Sequence, residues 1–235
     1  MWPARCAAAV PALRAPRSQV RSQTQSWTAE EAAKFLGSVR ANRLYAAFLT
    51  LATTGMRRSE VLGLRWADVD LESGTLAVRQ VISLDKYTPF ISEPKTPKSR
   101  RVVALDAGTI AALRSHRIRQ LEEQVAAGPA WQQTDLAFAK TDGSILHPQT
   151  LSGMFERAAK AVGLPKIGIH GLRHSHASLG LASGIPLVIM SERLGHSSVA
   201  ITGDVYSHSL PSQHQVGMST PTGPTSPDPW ARPVF

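Results

Sequence analysis

His170, Arg173 and His174 stand at i, i+3 and i+4 in IHGLRHSHAS. On a helix that spacing puts the three side chains on one face. Further on, Leu194-Gly195-His196 adds another imidazole, and Tyr206 follows soon after it. Groups able to bind an oxyanion therefore converge on a phenol that could act as a nucleophile. Such a combination suits phosphoryl transfer.

These residues need elements to hold them. Thr28-Ala29-Glu30-Glu31 reads as a capping box, with Thr28 as N-cap. It opens a helix carrying Phe35, Leu36 and Val39 on one face. A second helix, about residues 43–53, is apolar on most sides and should be central. Gly55 ends it, and Met56-Arg57-Arg58-Ser59-Glu60 begins a short third helix with Val61, Leu62 and Leu64 facing inward.

From Gly74 the period changes. Residues 75–81, 90–92 and 101–105 read as strands. The turn between the last two, Lys95-Thr96-Pro97-Lys98-Ser99-Arg100, reads as a basic hairpin tip. Asp106 caps a long helix to about residue 126, with Ile110, Leu113, Ile118 and Leu121 as core positions. A short strand at residues 136–139, a helix at 148–162 and the motif helix after His170 complete the pattern. The expected fold class is mainly α with a small antiparallel β-sheet (α+β).

The 235 residues, 43% of them hydrophobic, allow one large domain or two small ones. A net charge of +9 points to a polyanionic partner without choosing nucleic acid over membrane. The single Cys6 excludes an internal disulfide framework and fits a reducing compartment. No apolar run approaches the roughly 18 residues of a membrane-spanning helix. Residues 1–26 hold four arginines and no acid up to Trp27, and read as a disordered basic segment. Residues 210–235, rich in Pro, Ser and Thr, read as a disordered tail.

His170-Gly171-Leu172-Arg173-His174, Leu194-Gly195-His196 and Tyr206 together resemble the C-terminal motifs of the tyrosine recombinases, or phage integrases. Thr54-Gly55-Met56-Arg57-Arg58-Ser59-Glu60 resembles the family's first motif, and the likeness runs over residues 27–209. It implies a catalytic domain that cleaves and rejoins double-stranded DNA at specific sites through a 3′-phosphotyrosyl intermediate. Tyr206 is the implied nucleophile. Arg57 and Arg173 are the implied phosphate clamps, His170 an acid/base or hydrogen-bonding partner, and His196 a hydrogen-bond donor. Lys95 is the implied general acid for the leaving 5′-oxygen.

The resemblance further implies self-association on DNA, a cytoplasmic setting, no cofactor, no metal and no small-molecule substrate. Family members place a small helical DNA-binding domain before the catalytic one, and fewer than 30 residues precede the first helix here. That, with the altered tail, leaves a truncated, non-catalytic DNA-binding remnant as one alternative; the other is DNA relaxation in the manner of a type IB topoisomerase, which uses a similar residue set.

Each residue alone has a plainer reading. Tyr206 by itself is a half-buried aromatic on a terminal helix, with Gly203 lowering local helix propensity by about 1 kcal/mol. His170 and Arg173 alone are a surface helix pair. Arg58 competes with Arg57, and Glu60 orients that arginine or caps the turn. Lys98, Arg100 and Arg101 read as a solvated basic turn, and His174 and His176 as buried structural histidines. His170 and His174 have the spacing of a zinc-binding helix, but Gly171 stands where the general base of such a motif belongs.

Overall fold

A computed structural model describes residues 26–94, 96, 99–196 and 198–206. Eight α-helices and five short strands make up this part. The basic segment before residue 26, the tail after residue 206 and Lys95 lie outside the described residues.

Local signals set most helix boundaries. Helix α1 (Ala29–Ser38) starts at Thr28, whose hydroxyl accepts from the Glu31 amide while Glu31 accepts from the Thr28 amide. Two of the helix's orphan N-terminal donors are thereby satisfied. Helix α2 (Tyr45–Thr54) is buried on nearly every side and ends at Gly55 in the left-handed conformation. Helix α3 (Arg58–Leu62) follows at once, with Val61, Leu62 and the succeeding Leu64 inside.

The main core forms where α1 and α2 meet α5 (Pro148–Ala161) and α6 (Gly171–Ala182). Trp27, Phe35, Phe48 and Phe155 stack there, Phe35 and Phe155 edge to face at 4.9 Å. Contacts of this kind add about 0.5–1.5 kcal/mol each beyond the burial of area. A smaller cluster joins Ala177, Leu181, Met190, Leu194 and Tyr206 where α6 meets α7 (Leu187–Leu194) and α8 (Val199–Tyr206). Gly203 lies within α8, and the helix forms across it.

The fold class is as expected, but the strands divide into two antiparallel sheets. Strands β1 (Val69–Asp70), β2 (Thr75–Ala77) and β5 (Val102–Ala104) form one, in the order β1-β2-β5. Strands β3 (Val81–Asp85) and β4 (Thr88–Ser92) form a separate hairpin, Asp85 opposite Thr88. The expected basic tip at residues 95–100 lies partly outside the described residues, but the strands on either side of it, β4 and β5, belong to different sheets and do not pair with each other. The actual hairpin turn passes through Lys86, whose φ of +53° is unusual for a side-chain-bearing residue.

Helix α4 (Ala107–Ala127) is capped by Asp106 as expected, yet its buried face is not the apolar stripe. Ile118 and Leu121 are exposed, whereas Thr109, Leu113, His116 and Gln120 are buried. His116 Nε2 pairs with the Ala137 carbonyl at 2.8 Å, and Gln120 Nε2 donates to the Leu136 carbonyl at 3.0 Å. The backbone at residues 136–139 needs those partners because it makes isolated bridges to Arg65 and Ile145 in place of a strand.

Candidate active site

Three chain turns meet at the N-terminal end of α6. The first is the corner between α2 and α3. Gly55 has φ +64°, and a Cβ there would stand 2.7 Å from His176 Cδ2 and 2.8 Å from Leu194 Cδ2. Only glycine meets both demands. Two residues on, Arg57 is the N-cap of α3. Glu60 bonds its backbone N–H and its Nη1, each at 2.8 Å. The carboxylate offsets the unfavourable placing of a cation at a helix start, and the Arg57 side chain keeps 37% of its surface in water.

Arg173, one turn into α6, is 3% exposed. Its Nη1 donates to the Gly55 carbonyl and its Nη2 to the Leu194 carbonyl, both at 2.7 Å. This side chain ties the corner bearing Arg57 to the end of α7, two residues before His196. Burial, then the positive charge of Arg57, lowers its pKa to about 9, so it remains cationic at neutral pH.

Helix α7 ends at Gly195, again left-handed at φ +66°. The chain then turns so that the His196 amide reaches the Ser191 carbonyl and His196 Nδ1 meets the Thr202 hydroxyl of α8 at 2.7 Å. Burial and the charges of Arg173 and Arg57 push the His196 imidazole down to about 4. His170, at the start of α6, is open to solvent on one side. Crowding by protein atoms, then the electrostatic effect of His174, Arg173 and Arg57, lowers it to about 4. Both imidazoles are neutral at pH 7.

Tyr206 closes the set from the last residue of α8. It is 2% exposed, and its hydroxyl lies 2.7 Å from His174 Nδ1. The His174 ring meets the His170 ring edge to face, with centroids 4.9 Å apart. The hydroxyl is thus covered, yet one imidazole separates it from the solvent-facing His170. Burial, partly opposed by the Arg173 charge, raises the phenol to about 12.

Arg57, His170, Arg173, His196 and Tyr206 are therefore brought to one place, and Lys95 lies outside the described residues. Two plainer readings are corrected. His174 is half-buried with its ring on the Tyr206 hydroxyl, whereas His176 is the interior histidine, its Nδ1 3.2 Å from the Ala52 carbonyl of α2. Arg101 is not part of a solvated turn: its side chain is 8% exposed. Its Nη1 and Nη2 both bond Glu60, at 3.2 and 2.9 Å, and its Nε donates to the Arg193 carbonyl at 2.7 Å. Arg101 stands just before β5 and its partner Glu60 is 41 positions away, so no neighbouring residue in the sequence marks the pair. Arg100 does pair on the surface, with Glu93.

Among the described residues no group of three or more His, Cys, Asp or Glu stands close enough to hold a metal ion. The arrangement can place two guanidinium groups and two neutral imidazoles around one tetrahedral anion, with a phenolic oxygen beside it.

Known proteins share this arrangement of sequence. Residues 26–213 match the model of the phage integrase family. The chain is 31% identical over 217 residues to a tyrosine recombinase XerC-like protein of Caldanaerobacter subterraneus subsp. tengcongensis, covering 87% of this chain and 56% of that one. It is 28% identical over 197 residues to the ICEBs1 integrase of Bacillus subtilis, covering 83% and 53%. The chain spans about half the length of the curated relatives it matches. Among solved structures, XerA recombinase superposes with a TM-score of 0.64 at 26% identity, over 85% of this chain and 62% of that one. XerH site-specific recombinase, bound to its palindromic difH substrate, gives 0.61 at 28% identity, over 82% and 52%. By its motifs, its fold and its matched length, the chain belongs to the phage integrase family of tyrosine recombinases.

Proposed function

We propose that residues 27–209 form the catalytic domain of a site-specific DNA recombinase that acts on double-stranded DNA in the cytoplasm and self-associates there. The observation that carries this reading is the Arg173 side chain. It bonds the Gly55 carbonyl, two residues before Arg57, and the Leu194 carbonyl, two residues before His196, while His174 on the same helix meets the Tyr206 hydroxyl, which supports a shared site for these groups.

In this reading a DNA phosphate enters at the solvent-facing edge marked by His170 and Arg57. Arg57 forks onto non-bridging oxygens, since guanidinium matches their geometry with two N–H groups at once. Arg173 has five N–H donors, two of them held by backbone carbonyls, and offers the others and its charge. His196 and His170 add hydrogen bonds to the same group. The Tyr206 oxygen attacks phosphorus, the bond to the 5′-oxygen breaks, and a 3′-phosphotyrosyl link and a free 5′-hydroxyl result. Lys95 is assigned the proton given to that leaving oxygen. Because the phosphoester is exchanged and not hydrolysed, the reverse attack reseals the strand without an energy source. The preset cations stabilise the charge developing on phosphorus.

The test works without a defined target site. The protein is incubated with end-labelled nicked duplexes whose central base pairs are randomised, and sequences attached through denaturant-resistant links are recovered and amplified. A pool that enriches to a defined site, with adduct absent in Tyr206→Phe, supports the reading. Salt-dependent binding with no adduct would leave a DNA-binding remnant, and adduct on every sequence with rapid plasmid relaxation would indicate a topoisomerase. An adduct unchanged in Tyr206→Phe removes the assignment of the nucleophile.

A further inference from the structure

A phenol attacking phosphorus must lose its proton, and the nearest base decides where that proton goes. The His-x-x-Arg pattern draws attention to His170. The structure places a different imidazole on the reacting atom. His174 Nδ1 lies 2.7 Å from the Tyr206 hydroxyl, with the two rings 5.7 Å apart centre to centre. His170 touches the outer side of the same ring. Resting on the recombinase function proposed for this site, we infer that His174 is a catalytic residue whose Nδ1 accepts the Tyr206 proton as the phenolic oxygen bonds to phosphorus.

The proton balance is simple. With Nδ1 bare and Nε2 carrying hydrogen, the imidazole accepts the Oη–H bond in the resting state. As the Oη–P bond forms, the proton passes to Nδ1 and an imidazolium results. The P–O5′ bond breaks, and the leaving oxygen takes its proton from a separate acid. On resealing, the imidazolium returns its proton to Tyr206 as that oxygen leaves phosphorus.

The surroundings suit this role. His174 sits on the first turns of α6, so the helix fixes its backbone, and α8 holds Tyr206 by the burial of its ring. Arg173 and His170 on its own helix, His196 after α7 and Tyr206 on α8 are the titratable groups around it. Burial, then the Arg173 charge, keeps His174 below its ordinary value, so it is neutral at pH 7 and free to accept. The phenol holds its proton in the free protein. Bound DNA brings a negative charge beside the imidazole, which favours the imidazolium just when it forms. The nucleophile is thereby silent until a phosphate arrives.

Two measurements test this. In the first, single-turnover adduct formation is followed with the enriched nicked duplex for the full-length chain, His174→Ala, His174→Asn and His170→Ala. Asparagine offers an amide near the place of Nδ1 but no base, so a positioning role would be rescued by it and a proton-accepting role would not. General-base catalysis contributes about 10²–10⁴-fold. Both His174 variants are expected to slow adduct formation about 10²-fold or more at pH 7 with DNA affinity unchanged. Their rates should climb tenfold per pH unit toward the phenol pKa, and added imidazole should restore part of the His174→Ala rate. A loss of under threefold in His174→Ala, or full rescue by His174→Asn, would overturn the inference.

The second needs no DNA. The ¹⁵N NMR shifts of the His174 ring in the free protein should show a bare Nδ1 that moves in Tyr206→Phe. A protonated Nδ1 would overturn the assignment whether or not any adduct forms. Absence of adduct in the unmutated chain, with the bare Nδ1 observed, would instead count against the recombinase function itself.

Discussion

Replacing Glu60 by glutamine isolates the electrostatic joint behind the site. Glu60 is 2% exposed and carries two arginines of very different character. Arg57 is more than a third exposed, so water screens its half of the interaction and its loss costs under about 1 kcal/mol. Arg101 is 8% exposed, and glutamine would leave its buried guanidinium without a counter-charge. Removing one partner of a buried pair costs about 3–5 kcal/mol. The amide oxygen of glutamine still accepts one hydrogen bond, worth about 1 kcal/mol, so a net loss near 3 kcal/mol is expected. For a domain of this size that is a fall in Tm of about 6–12 °C.

Urea unfolding should show a lower midpoint with an unchanged slope. The double variant Glu60→Gln, Arg101→Met should recover about 2 kcal/mol relative to additivity, because the uncompensated charge is gone. The pH dependence supplies a sign. Burial alone would raise the Glu60 carboxyl, but the hydrogen bonds and charge of Arg101, followed by those of Arg57, outweigh it and hold it low. Its stabilisation is therefore present above its unfolded value of about 4.3 and lost as pH falls through the folded one. Glu60→Gln should lack that acid component. A cost under 1 kcal/mol, or strictly additive variants, would refute the reasoning.

Two further outcomes follow from the interior of the site. His176 is fully enclosed, and burial, then the Arg193 charge, lowers it to about 3. Its unfolded form takes up a proton first, so stability falls by about 1.4 kcal/mol per pH unit as pH drops below about 6.5. His176→Met should flatten the plot of unfolding free energy between pH 6 and 5 by that amount; an unchanged slope would mean the ring is protonated in the fold. Gly55→Ala should destabilise by about 2–5 kcal/mol, combining left-handed strain with the close contacts of a Cβ against His176 and Leu194. It should also weaken DNA binding through Arg173, and a fully stable, fully binding variant would contradict the geometry.

Much of the fold is legible in the residues because the signals are local. Thr28 with Glu31, Asp106, Gly55 and Gly195 each close a helix end through neighbours a few positions away. The motif residues are legible for the same reason: one helical turn joins His170 to Arg173. What stays hidden depends on distant partners. Ile118 and Leu121 look like core, yet α4 turns His116 and Gln120 inward because the carbonyls of residues 136 and 137 wait there. The β3–β4 turn carries Lys86 at positive φ, where a glycine or asparagine would have marked it. Arg101 points inward because Glu60, 41 positions earlier, occupies the interior. Nothing near either residue in sequence announces the pair. His174 reads as core in the sequence because its partner, Tyr206, is 32 positions away on another helix.

The two carbonyls held by Arg173 lie at the frayable ends of separate helices, α2 and α7. A guanidinium that clasps both acts as a clip: when either end loosens, the clip opens and the site loses its shape. Local melting and loss of the proposed phosphate affinity are then one event. Amide exchange at Gly55 and Gly195 would report in real time on whether the site is assembled.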